Sequence, residues 1–209
     1  MLLLYITDRT QFPGAENARQ QSLLAKIAEA SRCGVDLIQL REKDLSSREL
    51  EALTQAVLRV IGENSGQPVT RLLINSRSDI AIACGADGVH LRSDDISPSE
   101  ARKIWAREGR SALVSVSCHS AADVTRAASD GADFAVFAPV FEKKDEAQTR
   151  AAGLGGLREA CGQKIPVLAL GGITRKNARA CIDAGAAGVA AIRLFQENDI
   201  AGVVRELRG

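Results

Sequence analysis

GADGVHL, residues 85–91, sets the pattern that the rest of the chain repeats. Its glycine ends a segment with helical apolar spacing, and a short apolar run follows directly, as where a helix C-cap opens into a buried strand. Related junctions stand at Gly34-Val35-Asp36, Gly131-Ala132-Asp133 and Gly185-Ala186-Ala187-Gly188. The junction glycines are 51, 46 and 54 residues apart, and about fifty residues is the length of two strand-plus-helix units. Four junctions therefore predict eight units.

Eight short apolar runs are the predicted strands. Four of them follow the junctions, at Leu37 to Leu40, Gly88 to Leu91, Phe134 to Phe137 and Gly188 to Ile192. The other four lie between the junctions, at Leu2 to Ile6, Leu72 to Asn75, Ala112 to Val116 and Pro166 to Leu170. Because the runs are apolar throughout instead of alternating, they are typical of strands that are covered on both faces.

Amphipathic segments of helical length separate these runs, for example Ser46 to Ile61, Ser97 to Ala106 and Arg175 to Ala184. Serine or threonine stands at several expected N-cap positions, namely Ser46 or Ser47, Ser97, Ser120 and Thr174. Strict alternation of strand and helix predicts an α/β fold with a parallel sheet, and eight units allow the sheet to close. We therefore predict a single (β/α)8 TIM-barrel domain over residues 1–209.

A doubly wound open sheet is the alternative fold. That fold usually carries an early phosphate-binding glycine turn, whereas the first predicted strand here ends in Thr7-Asp8-Arg9 without such a turn. The segment from Pro139 to Ala152 is long for a connection between a strand and a helix. Its length predicts a loop that covers the substrate.

Composition excludes several classes of partner. The 27 Lys and Arg residues balance 26 Asp and Glu residues, and the net charge of +1 offers no general attraction to nucleic acid or anionic lipid. Aromatic residues make up only 3% of the chain, too few for base-stacking platforms. The first residues predict neither a signal peptide nor a membrane span. Five scattered cysteines without a C-x-x-C pair favour a reducing cytoplasm over a disulfide framework or a zinc site.

In a closed parallel barrel, polar residues at the carboxyl ends of the strands converge on one face. Gln39, Arg41 and Lys43 follow the second strand, and their donors suit a diphosphate. The alternative for this run is an internal ion-pair lattice that includes Glu42. Gly171-Gly172 follows the seventh strand, where bare backbone N–H groups and the start of the next helix suit a phosphate, although a double glycine also suits a tight turn.

Two further strand ends carry candidate groups. Asp94-Asp95 is either a divalent cation site or a helix N-terminal signal. His90 is more simply a packed imidazole than a catalyst. His119 follows the fifth strand and suits proton transfer at neutral pH, with a helix-cap neighbour as the alternative. Ser117, on the same strand, suits a phosphate contact.

Taken in order, these segments resemble the thiamine phosphate synthase and thiazole tautomerase superfamily over essentially the full chain. The matching segments are Tyr5-Ile6-Thr7-Asp8-Arg9, VDLIQLREK, LLINSR, DIAIACGADGVHL, VSVSCHS, GADFAVFAPVF, IPVLALGGIT and AGAAGVAAI. The resemblance implies an enzyme that joins an aminopyrimidine methyl diphosphate to a thiazole phosphate with Mg2+, giving thiamine phosphate and pyrophosphate. It implies small phosphorylated substrates as partners, with a homo-oligomer also possible.

The resemblance also implies roles for individual residues. Gln39, Arg41 and Lys43 would hold the pyrimidine diphosphate, with contacts from Asn75 and Ser117. Asp95 would bind Mg2+, and Gly171 and Gly172 would hold the thiazole phosphate. His119 and Lys144 would be the catalytic residues.

Two departures keep other functions open. The synthase pattern has an Asp after the third strand, where this chain has Ser76, and it has Pro-Thr-x-Thr-Lys after the sixth, where this chain has Phe141 followed by Glu142-Lys143-Lys144. Lys143 or Lys144 would then supply the cation. Both departures favour the metal-independent thiazole tautomerase as the alternative, with His119 as its acid or base. A barrel that binds a thiamine-pathway phosphate without turnover is the third hypothesis.

Overall fold

Eight parallel strands close into a barrel in sequence order, from β1 next to β2 round to β8 next to β1. The computed structural model describes residues 1–66, 68–142 and 151–209. The strands are β1 Leu2–Ile6, β2 Leu37–Leu40, β3 Arg71–Asn75, β4 Gly88–Leu91, β5 Leu113–Cys118, β6 Phe134–Phe137, β7 Val167–Ala169 and β8 Gly188–Ala191. The predicted (β/α)8 barrel is confirmed.

The helices pack around the outside of the barrel, and a short 3-10 helix at Arg9–Gln11 precedes the first of them. They are α1 Glu16–Arg32, α2 Ser47–Asn64, α3 Ser78–Cys84, α4 Pro98–Arg107, α5 Ala121–Ser129, α6 Gly153–Cys161, α7 Ala178–Asp183, α8 Arg193–Gln196 and α9 Ile200–Arg208. No helix in the described ranges is long and apolar enough to cross a membrane.

The apolar residues form two clusters, as expected for strands that are covered on both faces. The inner cluster fills the barrel with side chains that include Ile6, Leu73, Phe134 and Leu168. The larger outer cluster lies between the strands and the helices. This two-sided burial holds the strands in fixed register, so that the residues after them occupy fixed positions.

The four junctions have the predicted backbone. Gly34, Gly85, Gly131 and Gly185 all have positive φ, at 77°, 81°, 84° and 105°, a region that glycine enters without steric cost. Three of the four helix caps are also as predicted, since Ser46, Ser97 and Ser120 each accept a backbone N–H in a capping box. The helices therefore begin where the sequence indicates in these three units.

The fourth cap prediction is wrong. The helix after β7 begins at Ala178, not at Arg175, and its N-cap is Asn177 instead of Thr174. The Asn177 amide accepts from the Thr174 backbone N–H at 2.7 Å and donates to the Gly172 carbonyl at 2.9 Å. These bonds hold the intervening residues in a turn, because an asparagine side chain competes with helical hydrogen bonding.

Candidate active site at the mouth of the barrel

The carboxyl ends of the strands lie together at one end of the barrel, here called the mouth, where barrels of this kind build their sites. The predicted site residues fall into two groups there. Gln39, Arg41, Lys43, Asn75, Asp95 and Ser117 stand at the ends of β2 to β5, whereas Gly171 and Gly172 follow β7. The two groups differ in chemistry, since the first offers side chains and the second offers backbone.

A chain of hydrogen bonds joins the ends of β2, β3 and β4. The Gln39 Nε2 donates to Asn75 Oδ1 at 3.1 Å, and the Asn75 Nδ2 donates to Ser76 Oγ at 3.1 Å. The Ser76 hydroxyl in turn lies beside the Asp95 carboxylate and helps to lower the pKa of that group. The structure thus links Gln39, Asn75 and Asp95 through Ser76, which the sequence marks only as a departure from an expected Asp.

Ser76 has an uncommon backbone conformation. Its φ is 61°, which makes it the one non-glycine residue with positive φ in the described part of the chain. A conformation of this kind costs roughly 1 kcal/mol or more and persists where the surroundings enforce it. Here the Ser76 N–H donates to the His90 carbonyl at 2.8 Å, which fixes the residue between β3 and β4. The strain marks the mouth as a specialised region.

Asp95 is ionised and well held. Although burial opposes ionisation, hydrogen bonds from Ser76 and from the backbone and side chain of Arg92 hold the pKa of Asp95 below its usual value. The Arg92 N–H donates to Asp95 Oδ2 at 2.7 Å. Its neighbour Asp94 is 70% exposed and contacts only the Arg92 guanidinium in the described ranges. Asp95 is therefore better placed than Asp94 to bind a cation at the mouth.

The side chains around Asp95 suit magnesium that is bound through a single protein carboxylate. Magnesium commonly binds through one or two carboxylates, several waters and the phosphates of a ligand. Asp95 supplies one such carboxylate, and the described residues contain no cluster of three or more His, Cys, Asp or Glu side chains that could cage a metal. The chain therefore fits an ion that arrives with a phosphorylated ligand.

His90 lies buried beneath this polar chain. Its Nδ1 lies 2.8 Å from Ser115 Oγ, and its Nε2 lies 2.8 Å from Ser117 Oγ. Burial, assisted by the positive charge of Arg41 and opposed by Asp95, lowers the pKa of His90 to about 4. The imidazole is thus neutral at pH 7.

Two predicted ligands keep unused capacity for hydrogen bonding. Gln39 is 1% exposed, yet its Oε1 has no hydrogen-bond partner among the described residues. Arg41 is half-buried, its backbone N–H donates to Thr7 Oγ1 at 3.0 Å, and its guanidinium forms no ion pair within the described ranges. Lys43 is exposed and has an interaction within the protein. Gln39 Oε1 is one of seven buried side-chain polar atoms without a partner in the described ranges, and the only one of them that belongs to a predicted ligand; it can accept a hydrogen bond from a bound group.

The ion-pair lattice around Glu42 exists, but it uses Arg9 instead of Arg41. Glu42 accepts from the Thr7 hydroxyl at 2.5 Å and from the Arg9 backbone N–H at 3.0 Å. The Arg9 guanidinium also contacts Glu42 and pairs with Asp44 at 2.6 Å. Burial raises the pKa of Glu42 while these hydrogen bonds oppose the rise. The lattice fixes the ends of β1 and β2 together and leaves Arg41 to the mouth.

Gly171 and Gly172 form the backbone side of the mouth. Both have positive φ, and a side chain on either would approach the loop after β6, with a Cβ on Gly171 only 2.8 Å from Pro139 Cα. The N–H groups of Gly171, Gly172 and Ile173 have no acceptor in the part of the chain that the structure describes. Adjacent free N–H groups suit an anion. The predicted contribution of a helix start is wrong, because α7 begins only at Ala178.

Of the two predicted catalytic residues, the structure describes His119. His119 is exposed, and its Nδ1 lies 2.7 Å from the Ala138 carbonyl, so that Nδ1 donates and Nε2 is free to exchange a proton. Its neighbour Cys118 is buried, which raises the pKa of the thiol to about 12 and prevents it from acting as a nucleophile. Lys144, like Lys143, lies outside the described residues, as does most of the predicted covering loop.

Sequence reasoning missed Ser115 and undervalued His90. A signal was present, because Ser115 and Ser117 are two residues apart on an apolar strand and therefore face the same side. The register places His90 directly beside Ser115. Polar residues at that spacing inside an apolar strand indicate a hydrogen-bonded group within the barrel.

Comparison with known proteins agrees with this geometry. The family model described as thiamine monophosphate synthase matches residues 3–195. A thiamine-phosphate synthase of Methanoculleus marisnigri is 39% identical over 99% of this chain and 93% of its own length. One from Syntrophomonas wolfei is 36% identical over 99% of this chain and 94% of its own length.

A solved structure is also similar. It is the thiamine phosphate pyrophosphorylase from Pyrococcus furiosus, with a TM-score of 0.81 and 29% identity, and the match covers 99% of this chain and 93% of that one. The relatives match almost end to end, and so does the family model. This chain is therefore a member of the thiamine monophosphate synthase family.

Proposed function

We propose that this chain condenses 4-amino-2-methyl-5-(hydroxymethyl)pyrimidine diphosphate with a thiazole phosphate, giving thiamine phosphate and pyrophosphate. The observation that carries the proposal is that two kinds of group suited to anions, side-chain donors after β2 to β5 and unbonded backbone N–H groups after β7, stand at one mouth. Arg41 and Ser117 suit a diphosphate that must leave, because side-chain cations and hydroxyls stabilise developing negative charge. The free N–H groups of Gly171 and Gly172 suit a phosphate that remains attached.

The buried amide of Gln39 supports an aminopyrimidine as one substrate. Among the described residues its Oε1 finds no donor, while its Nε2 is bonded to Asn75. An exocyclic amino group on the ring would supply that donor, and a buried acceptor gains more from a bond than an exposed one. Asn75 would contact the same ring.

The reaction exchanges one bond for another. The bond between the pyrimidine methylene carbon and the diphosphate oxygen breaks, and its electron pair leaves with pyrophosphate. The lone pair of the thiazole nitrogen then forms the new carbon–nitrogen bond. Arg41, Lys43 and Ser117 would hold the departing pyrophosphate, and Asp95 would hold magnesium, which supplies further charge neutralisation when bound.

His119 and Lys144 would assist at the edge of this site. The Nε2 of His119 would exchange a proton with the departing pyrophosphate, while its Nδ1 is held by the Ala138 carbonyl. Lys144 would supply a further positive charge to the diphosphate. The chain's five cysteines are all free thiols, which supports a reaction in the reducing cytoplasm.

The test is an assay of pyrophosphate release with both substrates and Mg2+. We expect Asp95→Asn to lower the rate at least tenfold, because the metal loses its carboxylate. Asp94→Asn is the matched control, since that neighbouring carboxylate is exposed and, in the described part of the chain, contacts only Arg92. Equal rates in both variants would contradict the role of Asp95, and no release by the unmodified chain would contradict the synthase.

The thiazole tautomerase is the second candidate, and the free Nε2 of the exposed His119 favours it. A tautomerase would isomerise a thiazole carboxylate phosphate without added metal, and His119→Asn would abolish that reaction. Saturable binding of the phosphates with neither reaction would indicate the non-catalytic binder instead.

A further inference from the structure

His90 bridges two serines inside the barrel that differ in their access to the mouth. Ser115 is fully buried at 0% exposure, whereas Ser117 is partly exposed at the end of the same strand. The imidazole lies 2.8 Å from each hydroxyl oxygen, with Nδ1 toward Ser115 and Nε2 toward Ser117. A neutral imidazole donates from one nitrogen and accepts at the other. The hydrogen bonds can therefore run in one of two directions.

The buried hydroxyl decides between these directions. Within the described residues, Ser115 Oγ has no hydrogen-bond partner other than His90 Nδ1. If Nδ1 donated to Ser115, the Ser115 proton would be buried without an acceptor, which is costly. If the Ser115 hydroxyl donates to Nδ1, every group is satisfied, and the imidazole proton must reside on Nε2. Nε2–H then donates to Ser117 Oγ.

This direction determines what Ser117 offers to the mouth. Because Ser117 Oγ already accepts from His90, its own proton is free to point outward and donate to a ligand. In the opposite direction Ser117 would donate to His90 and present only lone pairs, which repel an anion. The same oxygen thus attracts or repels a phosphate according to the tautomer of a residue beneath it.

We propose that His90 is a positioning residue that holds Ser117 as a hydrogen-bond donor for the substrate's diphosphate. The proposal rests on the synthase function given above, because it takes the anion at Ser117 to be that diphosphate. His90 itself does not touch the anion, since Ser117 lies between them.

The neutral state of the ring is needed for this arrangement. An imidazolium would donate from both nitrogens and would leave the Ser115 proton without an acceptor. The burial that lowers the pKa of His90 to about 4 keeps the ring neutral at pH 7, and Arg41 acts in the same direction while Asp95 acts against it. The direction of the bonds is therefore constant over the neutral pH range.

The first test measures the tautomer in the unmodified protein. Nitrogen-15 NMR of labelled histidine distinguishes a protonated Nε2 from a protonated Nδ1 by the couplings of the ring protons. We expect the Nε2–H tautomer for His90, and an Nδ1–H tautomer would overturn the proposal. His119, whose Nδ1 donates to the Ala138 carbonyl, provides the opposite tautomer as an internal reference.

The second test uses binding of inorganic pyrophosphate, measured by calorimetry. Ser117→Ala removes the donor, and His90→Leu removes the group that orients it, so each should weaken binding about tenfold. The double variant should be no weaker than either single variant, because both lose the same interaction. Effects that multiply would contradict the proposal. His90→Gln should restore binding to within about threefold, since its amide N–H can replace Nε2–H.

These readouts are independent of turnover. If the protein binds pyrophosphate with the expected coupling but releases none from the two substrates, the synthase function fails and the positioning role stands. If turnover is present but the tautomer is Nδ1–H, the positioning role fails and the synthase function stands. Should His90→Leu fail to fold, the tautomer measurement and His90→Gln still decide the question.

Discussion

The two ends of the barrel differ in how far the hydrogen-bonding groups of the described residues have partners. At the amino-terminal end, here called the base, three junction carboxylates each accept one backbone N–H from the neighbouring strand, in the pairs Asp36 with Leu3, Asp87 with Leu72, and Asp133 with Val114, all at 2.7 Å. At the mouth, the Gln39 Oε1 and the Gly171 and Gly172 N–H groups lack partners within the described residues. Satisfied polar groups stabilise a fold, and unsatisfied ones are available for a ligand.

The largest expected effect comes from replacing one arginine at each end of the barrel and comparing activity and stability. Arg41→Met should lower kcat/KM by about 100-fold, since under the proposed function the substrate's diphosphate loses a cation, and the free energy of unfolding of the variant should hardly change. Steady-state kinetics and urea unfolding together measure both quantities.

Arg102→Met is the matched control at the base. Arg102 donates to the Gly131 carbonyl and to Asp133, both at 2.7 Å. Because this side chain is partly exposed, its loss should cost about 1 kcal/mol of stability and leave kcat/KM unchanged. A large loss of activity at the base, or of stability at Arg41, would remove the distinction between the two ends.

Lowering the pH tests the mouth by itself, through the titration of His90. The pKa of His90 is lowered by burial to about 4, so the unfolded chain binds the proton more tightly than the folded one. The contribution of His90 to the free energy of unfolding is therefore fully present above pH 6.5, the ordinary pKa of histidine, and is lost as the pH falls toward 4. The loss is at most about 3 kcal/mol.

Urea unfolding of the wild type and of His90→Gln across pH 7 to 4 isolates this contribution. Glu42, whose pKa is raised, titrates with the opposite sign, but it is present in both proteins and cancels in the difference. A difference that stays constant with pH would show that His90 is not the buried neutral imidazole described here.

The same contrast explains how much the sequence could predict. The bounds of β1, β2, β4 and β6 match the predictions because apolar runs and junction glycines determine them locally. The strand β5 is longer than predicted and extends to Cys118, past the expected end at Val116. Serines interrupt its apolar pattern, and their hydrogen-bond partner His90 lies on the adjacent strand β4, 25 residues before Ser115 in the chain.

The site residues at the mouth were predicted from their position at strand ends, and their roles stay predictions. What sequence reasoning could not see is the contact of Ser76 with Asp95, because it depends on the register of β3 against β4 and on the left-handed backbone of Ser76. Long-range pairing of this kind has no local signal. The cap prediction at Thr174 failed for a different, local reason, since the Asn177 side chain bonds back to Thr174 and Gly172 and holds the residues before α7 in a turn.

A smaller effect is expected from removing one base carboxylate. Asp36 accepts from the Leu3 N–H at 2.7 Å and from the Arg208 guanidinium at 2.6 Å. Asp36→Ala should therefore lower the free energy of unfolding by about 2 kcal/mol, with kcat/KM unchanged because the base is remote from the mouth. Asp94→Ala, at an exposed position of the mouth, should change stability by less than about 0.5 kcal/mol. Similar losses in the two variants would contradict the assignment of stability to the base.

The smallest expected effect comes from completing the pattern at the base. The fourth junction has Ala187 where the other three have Asp. The register that pairs Leu168 with Gly188 places residue 187 beside Val167, as Asp87 lies beside Leu72. Ala187→Asp would bring a carboxylate to the Val167 N–H and should raise the free energy of unfolding by at most about 1 kcal/mol, because part of the gain is offset by desolvation.

The sign of that change is the informative result, measured by urea unfolding beside Asp36→Ala. A gain would show that the junction carboxylates act as interchangeable local contacts, one for each pair of units. A loss would show that the fourth pair differs in its packing. Ala187 contacts the inner apolar cluster, and a carboxylate turned toward that cluster would be desolvated without reaching the Val167 N–H.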